Sequence, residues 1–211
     1  MIINKIINAD CMDIMKDIPD KYFELAIVDP PYGIFGFKSD NFDFLKGGTG
    51  GTWASKYGKQ TKRWDVKPDD LYFDELKRIS KEQIIFGANH FGFPFDNYLV
   101  WKKLTISESF SMGMCELASV SIRGNPKVFT HAPQDTHRFH PTQKPLNLYR
   151  KIIMTYAKTG NKIIDTHSGS GSCAIACYLE KYEFLAIEKD KEYFDMSIKR
   201  FEEVKSQGIL F

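Results

Sequence analysis

Residues 161–188 read NKIIDTHSGSGSCAIACYLEKYEFLAIE, and this stretch decides the fold. Asn161 to Asp165 form a short apolar run that ends in an acid, and a glycine- and serine-rich segment follows it. Residues 173–182 have helical spacing, and the next apolar run, Phe184 to Ile187, is followed at once by Glu188. A strand, a turn, a helix and a strand in this order predict a βαβ unit with two parallel strands.

The acidic residues of this unit indicate which ligand it binds. The turn lacks the G-x-G-x-x-G pattern of dinucleotide sites, and Asp165 would repel a pyrophosphate but accept from an ammonium group. Glu188 lies about twenty positions further on, where an acidic residue binds ribose hydroxyls. The unit therefore predicts a nucleoside cofactor that carries an amino acid group, although a plain βαβ turn without a ligand has the same outline.

A second motif, Asp29-Pro30-Pro31-Tyr32, follows the apolar run Leu25 to Val28. The run predicts a buried strand, so the motif lies at a carboxyl end, where open α/β sheets bind ligands. Two prolines fix two φ angles and remove two backbone donors. A carboxylate, free carbonyls and an aromatic ring on one stiff loop suit an exocyclic amine on a flat ring. The alternative is a proline-rich turn in which Asp29 only caps the backbone.

Together with His140-Pro141-Thr142-Gln143-Lys144-Pro145, these motifs resemble those of the β-class amino-methyltransferases of DNA, which use S-adenosylmethionine. That class has a permuted order in which the D-P-P-Y motif precedes the glycine turn, as it does here. The similarity runs from about residue 3 to about residue 203. One departure is Thr166-His167, where family members usually have Pro-Phe. The resemblance implies an α/β, Rossmann-like methyltransferase fold, with a mostly parallel sheet and an antiparallel edge hairpin.

The resemblance also implies roles for individual residues. The catalytic residues would be Asp29, Pro30 and Tyr32. The cofactor would be bound by Asp10, Asp165, Gly169, Ser170, Gly171 and Glu188, with Thr142 and Lys144 near its methionine carboxylate. The initial Asp of the D-P-P-Y motif favours the 6-amino group of adenine as the acceptor. The 4-amino group of cytosine stays open as an alternative, and so does a catalytically silent DNA-binding protein on the same fold.

The chain of 211 residues, 43% of them hydrophobic, is predicted to form a single domain over residues 1–211. The expected strands lie at 4–8, 24–28, 83–86, 98–101, 115–122, 161–165 and 184–187, and the expected helices at 11–17, 68–80, 146–157, 173–182 and 191–205. Two other segments are candidate contacts for double-stranded DNA: the loop 34–67, in which basic residues are interleaved with aromatic ones, and the linker segment 123–139. Their candidate DNA-binding residues are Lys59, Lys62, Arg63, Arg123, Lys127 and Arg138.

Several classes of protein do not fit this sequence. It contains no apolar run long enough for a membrane span and no signal segment, and we expect a cytoplasmic protein with reduced cysteines. His131, His137 and His140 lack a suitably spaced fourth ligand, so no metal site is expected. The candidate DNA-contacting segments are short, so a homodimer could be needed to cover a longer recognition site. The resemblance also implies that a cognate restriction enzyme could be a partner.

Overall fold

The computed structural model describes residues 3–34, 64–92, 95, 97–109, 113–133 and 138–207. The strands are β1 (Lys5–Asn8), β2 (Phe23–Val28), β3 (Ser80–Phe86), β4 (Asn97–Lys103), β5 (Cys115–Val120), β6 (Lys127–His131), β7 (Lys162–Asp165) and β8 (Glu183–Glu188). The helices are α1 (Cys11–Met15), α2 (Asp70–Ile79), α3 (Ala88–Phe91), α4 (Leu146–Tyr156), α5 (Ser172–Leu179) and α6 (Lys191–Ser206).

All eight strands form one sheet in the order β1-β8-β7-β2-β3-β5-β4-β6. The first five are parallel neighbours, whereas β5 runs antiparallel to both β3 and β4. The predicted α/β class and mostly parallel sheet are therefore confirmed. The predicted hairpin corresponds to β4 and β5, and β6 extends the sheet beyond it by pairing parallel to β4.

Strand β6 lies inside the segment that the sequence assigns to a linker. Among its five residues only Phe129 is buried, and Val128 is 64% exposed. An edge strand that contributes one side chain to the core shows little of the alternation by which strands are recognised. For this reason β6 is absent from the strands expected from the sequence.

The core lies on both faces of the sheet, as expected for strands that are apolar throughout. Alternate residues of β2 point to opposite sides. Leu25 and Ile27 pack with α4 and α5, whereas Ala26 and Val28 pack with α1 and α2. Helices thus cover both faces of the sheet, and the carboxyl ends of its parallel strands remain available at one edge. We call this edge the carboxyl edge.

Candidate active site

Four acidic residues that are far apart in the sequence follow one another along the carboxyl edge. Asp10 comes just after β1, Glu188 ends β8, Asp165 ends β7, and Asp29 comes directly after β2. The sheet order places these four strands side by side. The structure therefore brings the candidate cofactor residues and the candidate catalytic aspartate onto one continuous edge.

Asp29 lies at the end of β2 with its carboxylate bound on both oxygens. The Tyr32 hydroxyl donates to Oδ1 over 2.6 Å, and the Lys144 ammonium pairs with Oδ2. Burial raises the pKa of Asp29, although Lys144 opposes this shift. The first and last residues of the D-P-P-Y segment are thus joined by a hydrogen bond, because the chain turns at Pro30 and Pro31 and brings the Tyr32 hydroxyl to Asp29.

The Tyr32 ring is held between the end of β3 and the helix α3. His90 stacks on it with ring centroids 4.8 Å apart and an angle of 19° between the planes, and Phe91 meets it edge-on at 5.8 Å. Gly87 has a φ of 81°, and a Cβ there would overlap the Tyr32 ring. Only a glycine allows this turn and this close approach together.

Lys144 is a buried ammonium group that joins two carboxylates. Besides Asp29 it pairs with Glu116 at 3.2 Å, and its Nζ lies 4.4 Å from the centre of the Phe86 ring. Glu116 also pairs with Lys103 at 2.9 Å. Burial lowers the pKa of Lys144, but the two carboxylates outweigh burial and the net shift is upward. The structure thus places the Lys144 side chain on the catalytic segment, whereas the sequence assigned it to the methionine carboxylate.

The motif at 140–145 connects the catalytic segment with the glycine turn. The Lys144 side chain reaches Asp29, while its carbonyl accepts from the Ser172 hydroxyl at 2.9 Å, at the start of α5. The His140 ring lies against Gly169, where a Cβ would come within 3.3 Å of the imidazole. Burial lowers the pKa of His140 to about 3, so this imidazole is neutral. Thr142 is half-buried, and its amide and hydroxyl lie 3.3 and 3.2 Å from Nδ1 of His140.

The glycine turn between β7 and α5 is shaped by two positive φ angles, 51° at Gly169 and 73° at Gly171. Both oxygens of Glu188 accept from backbone amides, Oε2 from Gly169 at 2.7 Å and Oε1 from Asp190 at 2.8 Å. Burial raises the pKa of Glu188. Ser170 is buried in the turn with its carbonyl bound by Arg200 at 3.1 Å. Glu188 thus fixes the turn as well as facing the cofactor region.

Asp165 and Asp10 differ in how their charges are balanced. Asp165 is buried and accepts the amide of His167 at 3.1 Å, and burial raises its pKa to about 8. Asp10 caps α1 through the amide of Met12 at 3.0 Å and pairs with Lys189 at 2.8 Å, a hydrogen bond that lowers its pKa.

The residues of this region fit the cofactor that the resemblance implies. Buried Asp165 lacks a cationic partner among the described residues, and an ammonium group would supply one. The hydroxyl of Ser168 is buried and has no hydrogen-bond partner in the described part of the chain. These features suit an amino acid group joined to a ribose. Asp165 would pair with the ammonium group, Glu188 on the next strand would face the ribose, and the Ser168 hydroxyl would gain a hydrogen-bond partner.

The candidate DNA-binding residues fall into three groups. Lys59, Lys62 and Arg63 lie outside the residues that the structure describes. Arg138 donates to the carbonyls of His140 and Pro141, so its guanidinium holds the motif at 140–145 in place.

Arg123 and Lys127 are exposed, but they lie at the amino-terminal ends of the parallel strands, opposite to the carboxyl edge that carries Asp29. β5 runs antiparallel, so its end leads away from the carboxyl edge, and Lys127 pairs with Leu99 near the start of β4. These two residues therefore do not share a surface with the catalytic segment, which corrects the expectation that segment 123–139 is one DNA-contacting surface.

The described ranges also lack two kinds of feature. They contain no cluster of three or more His, Cys, Asp or Glu side chains that is arranged to hold a metal ion. None of the helices described there has the length and apolar character that crossing a membrane requires.

Three residues of the site are not identified by any sequence motif: Glu116, Lys103 and His90. The first two are charged residues at the ends of otherwise apolar strands, which is an available signal, but such residues are usually solvated. His90 follows β3 in a loop with no recognisable motif. The position of β3, β4 and β5 in the sheet brings them to the partners of Asp29: Glu116 pairs with Lys144, Lys103 with Glu116, and His90 stacks on Tyr32.

Comparison with known proteins supports the same interpretation. Residues 121–199 match a family model described as DNA methylase. The type II methyltransferase M.HinfI of Haemophilus influenzae is 22% identical, over 96% of this chain and 69% of its own length. The DNA adenine methyltransferase YhdJ of Escherichia coli is 23% identical, over 93% of this chain and 82% of its own.

Solved structures share the fold. The M1.HpyAVI complex with S-adenosylmethionine aligns with a TM-score of 0.54 at 22% identity, covering 93% of this chain and 98% of the other. The cytosine-N4-specific PvuII DNA methyltransferase aligns with a TM-score of 0.60 at 12% identity, covering 96% and 90%.

Proposed function

We propose that this chain is a DNA amino-methyltransferase that transfers a methyl group from S-adenosylmethionine to the 6-amino group of adenine in double-stranded DNA. One observation carries the proposal. The Asp29–Tyr32 pair and the glycine turn lie on neighbouring strands of one edge, and Lys144 contacts both.

The chemistry at Asp29 follows from the needs of an exocyclic amine. Such an amine is inaccessible inside a duplex, so the target base must leave the stack. Asp29 and the carbonyl of Pro30 accept its two hydrogens, which orients the nitrogen lone pair away from them. As the nitrogen gains the methyl group it loses one proton, which passes to the Asp29 carboxylate. Positioning supplies much of the acceleration, and no covalent enzyme intermediate is required.

Tyr32 provides the flat surface on which the flipped base stacks. The His90 ring already occupies one face of Tyr32 in a stacked geometry, which shows that a planar ring can lie there. We infer that the base replaces His90 or takes the opposite face. α3 carries His90 and is flanked by Gly87 and Gly92, both with positive φ, so its two ends tolerate a change of backbone angles.

Binding of the cofactor is assigned to the remaining acidic residues of the edge. S-adenosylmethionine supplies an electrophilic methyl group when it is bound. Asp165 binds its ammonium group, Glu188 its ribose, and Asp10 its adenine amine. Glu188 already accepts two amides, but each carboxylate oxygen retains a second lone pair for a ribose hydroxyl. Thr142, which lies beside His140 above the turn, is retained as a contact of the methionine carboxylate.

DNA contacts are assigned to the loop 34–67 of a single methyltransferase domain. Its described ends meet beside the catalytic segment, since the amide of Gly33 donates to Asp65 at 2.9 Å. Trp64 packs on His140 with ring centroids 5.5 Å apart. A loop that begins and ends at the carboxyl edge is well placed to follow the phosphates of a flipped target. A homodimer and a cognate restriction enzyme stay predictions from the sequence.

A triple Ala variant of Lys59, Lys62 and Arg63 tests this assignment. Removing three phosphate contacts should reduce the slope of log affinity against log salt by about 0.9 for each contact. The same replacement at Lys158, Lys181 and Lys199, on other surfaces, serves as the control for charge. An unchanged slope in the first variant would mean that other residues track the DNA.

Cytosine is the second candidate acceptor, favoured by the structural likeness to the cytosine-N4-specific PvuII enzyme. Methylation-aware sequencing of DNA from cells that express this chain distinguishes the two, because it identifies the modified base and its sequence context. The proposal predicts 6-methyladenine. 4-Methylcytosine would keep the site and change the substrate, whereas unmodified DNA would favour a silent DNA-binding protein.

A further inference from the structure

Four charged side chains alternate in sign beneath the catalytic loop, and two of them come from strands outside every motif. Lys103 ends β4 and Glu116 lies at the start of β5, directly opposite Trp101 in the sheet. From there the chain of contacts runs through Lys144 to Asp29. The side chains of Lys103 and Lys144 are only 7% and 3% exposed. Two positive and two negative charges balance, so the group carries no net charge.

The two carboxylates that share Lys144 are not equivalent. Glu116 binds two ammonium groups, at 2.9 Å and 3.2 Å, whereas Asp29 binds one ammonium group and a phenol. Burial raises the pKa of both, yet the two lysines bring that of Glu116 below its usual value, while that of Asp29 stays above it. When two neighbouring acids are driven apart in this way, the one with the raised pKa is suited to carry a proton.

The other groups around Lys144 do not compete for that proton. The phenols of Tyr32 and Tyr149 have pKa values well above their usual 10 because they are buried, and His140 is neutral. Asp165, which interacts electrostatically with both Asp29 and Lys144, lies on the cofactor side of the edge. After burial, the shared ammonium of Lys144 is thus the largest influence on the pKa of Asp29 within the described site.

We propose that Glu116, held by Lys103, is a positioning residue that keeps part of the Lys144 charge away from Asp29 and so sets the proton affinity of Asp29. The inference rests on the proposed methyl transfer, in which Asp29 takes a proton from the amine. With Lys144 bound to Asp29 alone, the carboxylate would be a weak base. Without Lys144 it would be protonated before the amine arrived. Sharing Lys144 between two carboxylates keeps Asp29 ionised and still basic.

This arrangement predicts shifts of opposite sign in the pH profile of single-turnover methyl transfer. Glu116→Gln removes the competitor for Lys144 and a neighbouring negative charge, so the acidic limb should move down by about one pH unit, with an approximately threefold lower plateau rate. Lys144→Gln should move the acidic limb to higher pH by a similar amount. Lys103→Met releases Glu116 to bind Lys144 more tightly, and should also move it up.

Matched controls are available on exposed residues. Glu108→Gln and Lys102→Met make the same changes of charge at exposed positions, and Lys102 directly precedes Lys103 in β4. Both controls should leave the acidic limb at the same pH. A purely structural role for the ion pairs would lower the rate or the melting temperature of all three site variants without shifting the limb. The proposal would be overturned if Lys103→Met and Glu116→Gln both fold and the acidic limbs of their pH profiles coincide with that of the unmodified protein.

A second readout separates this inference from the proposed function. The carboxyl carbon of Asp29, labelled with ¹³C, reports its protonation by NMR in the same variants, whether or not methyl transfer occurs. Opposite displacements of its titration in Glu116→Gln and Lys103→Met support the proposal even if the unmodified chain transfers no methyl group. Identical titrations refute it even if methyl transfer is active. If Glu116→Gln fails to fold, Lys103→Met against Lys102→Met decides.

Discussion

The two hydrogen bonds of Glu188 predict that this residue stabilises the folded chain in addition to binding cofactor. Its oxygens accept from Gly169 and Asp190 at 2.7 and 2.8 Å, and hydrogen bonds to a charged group contribute about 1.5–3 kcal/mol each. Glu188→Gln keeps one acceptor and loses the other. Because the side chain is only half-buried, water compensates in part, and we expect a loss of about 1–2 kcal/mol.

Thermal unfolding followed by circular dichroism measures this loss. For a chain of this size, about 1 kcal/mol shifts the melting temperature by roughly 2–4 °C, so Glu188→Gln should melt roughly 2–8 °C lower. Glu188→Ala, which loses both acceptors, should fall further. The control is Glu183→Gln at the exposed start of β8, for which no shift is expected. Equal melting of Glu188→Gln and the unmodified chain would refute the role of Glu188 in fixing the turn.

Three further predictions concern the turn and the catalytic loop. Folding raises the pKa of Asp165 from 3.8 to about 8, so the free energy of unfolding of the cofactor-free protein should fall as pH rises through this range. Because the cofactor ammonium binds the ionised carboxylate, cofactor affinity measured by calorimetry should rise about tenfold per pH unit up to a pH of about 8. Asp165→Asn should flatten both pH dependences. Gly87→Ala should displace the Tyr32 ring and destabilise the chain by about 1–3 kcal/mol in denaturant titrations, with turnover lost. Gly169→Ala should weaken cofactor binding at least tenfold, because its Cβ would press on His140 at a φ of 51°.

Local sequence patterns were sufficient wherever an element is apolar and bordered by a motif. Residues 24–28 predicted β2, and residues 161–165 predicted β7, because buried parallel strands are short apolar runs. The spacing after β7 assigned Glu188 to a ribose, whereas Asp10 was assigned to the same site only through the family resemblance. Their strands pair although they are separated by nearly the whole chain, and no local signal encodes that pairing.

Roles that depend on sheet order could not be predicted. Lys144 was assigned to the cofactor because it belongs to a motif, yet its side chain faces Asp29 and Glu116. Arg123 and Lys127 looked like parts of a basic DNA-binding segment. The antiparallel direction of β5 carries them to the far edge, and that direction is fixed by the neighbours of β5.

Methyl transfer by Asp29→Asn tests the central claim most directly. The assay follows tritiated methyl groups from S-adenosylmethionine into duplexes that contain the modified sequence, with cofactor and DNA binding measured in parallel. Asp74→Asn, on the exposed side of α2, is the control. A proton acceptor of this kind contributes about a hundredfold or more, so Asp29→Asn should fall by at least that factor while binding is largely kept. Turnover by Asp29→Asn equal to that of the unmodified chain would contradict the assignment of Asp29 as the group that accepts the amine proton.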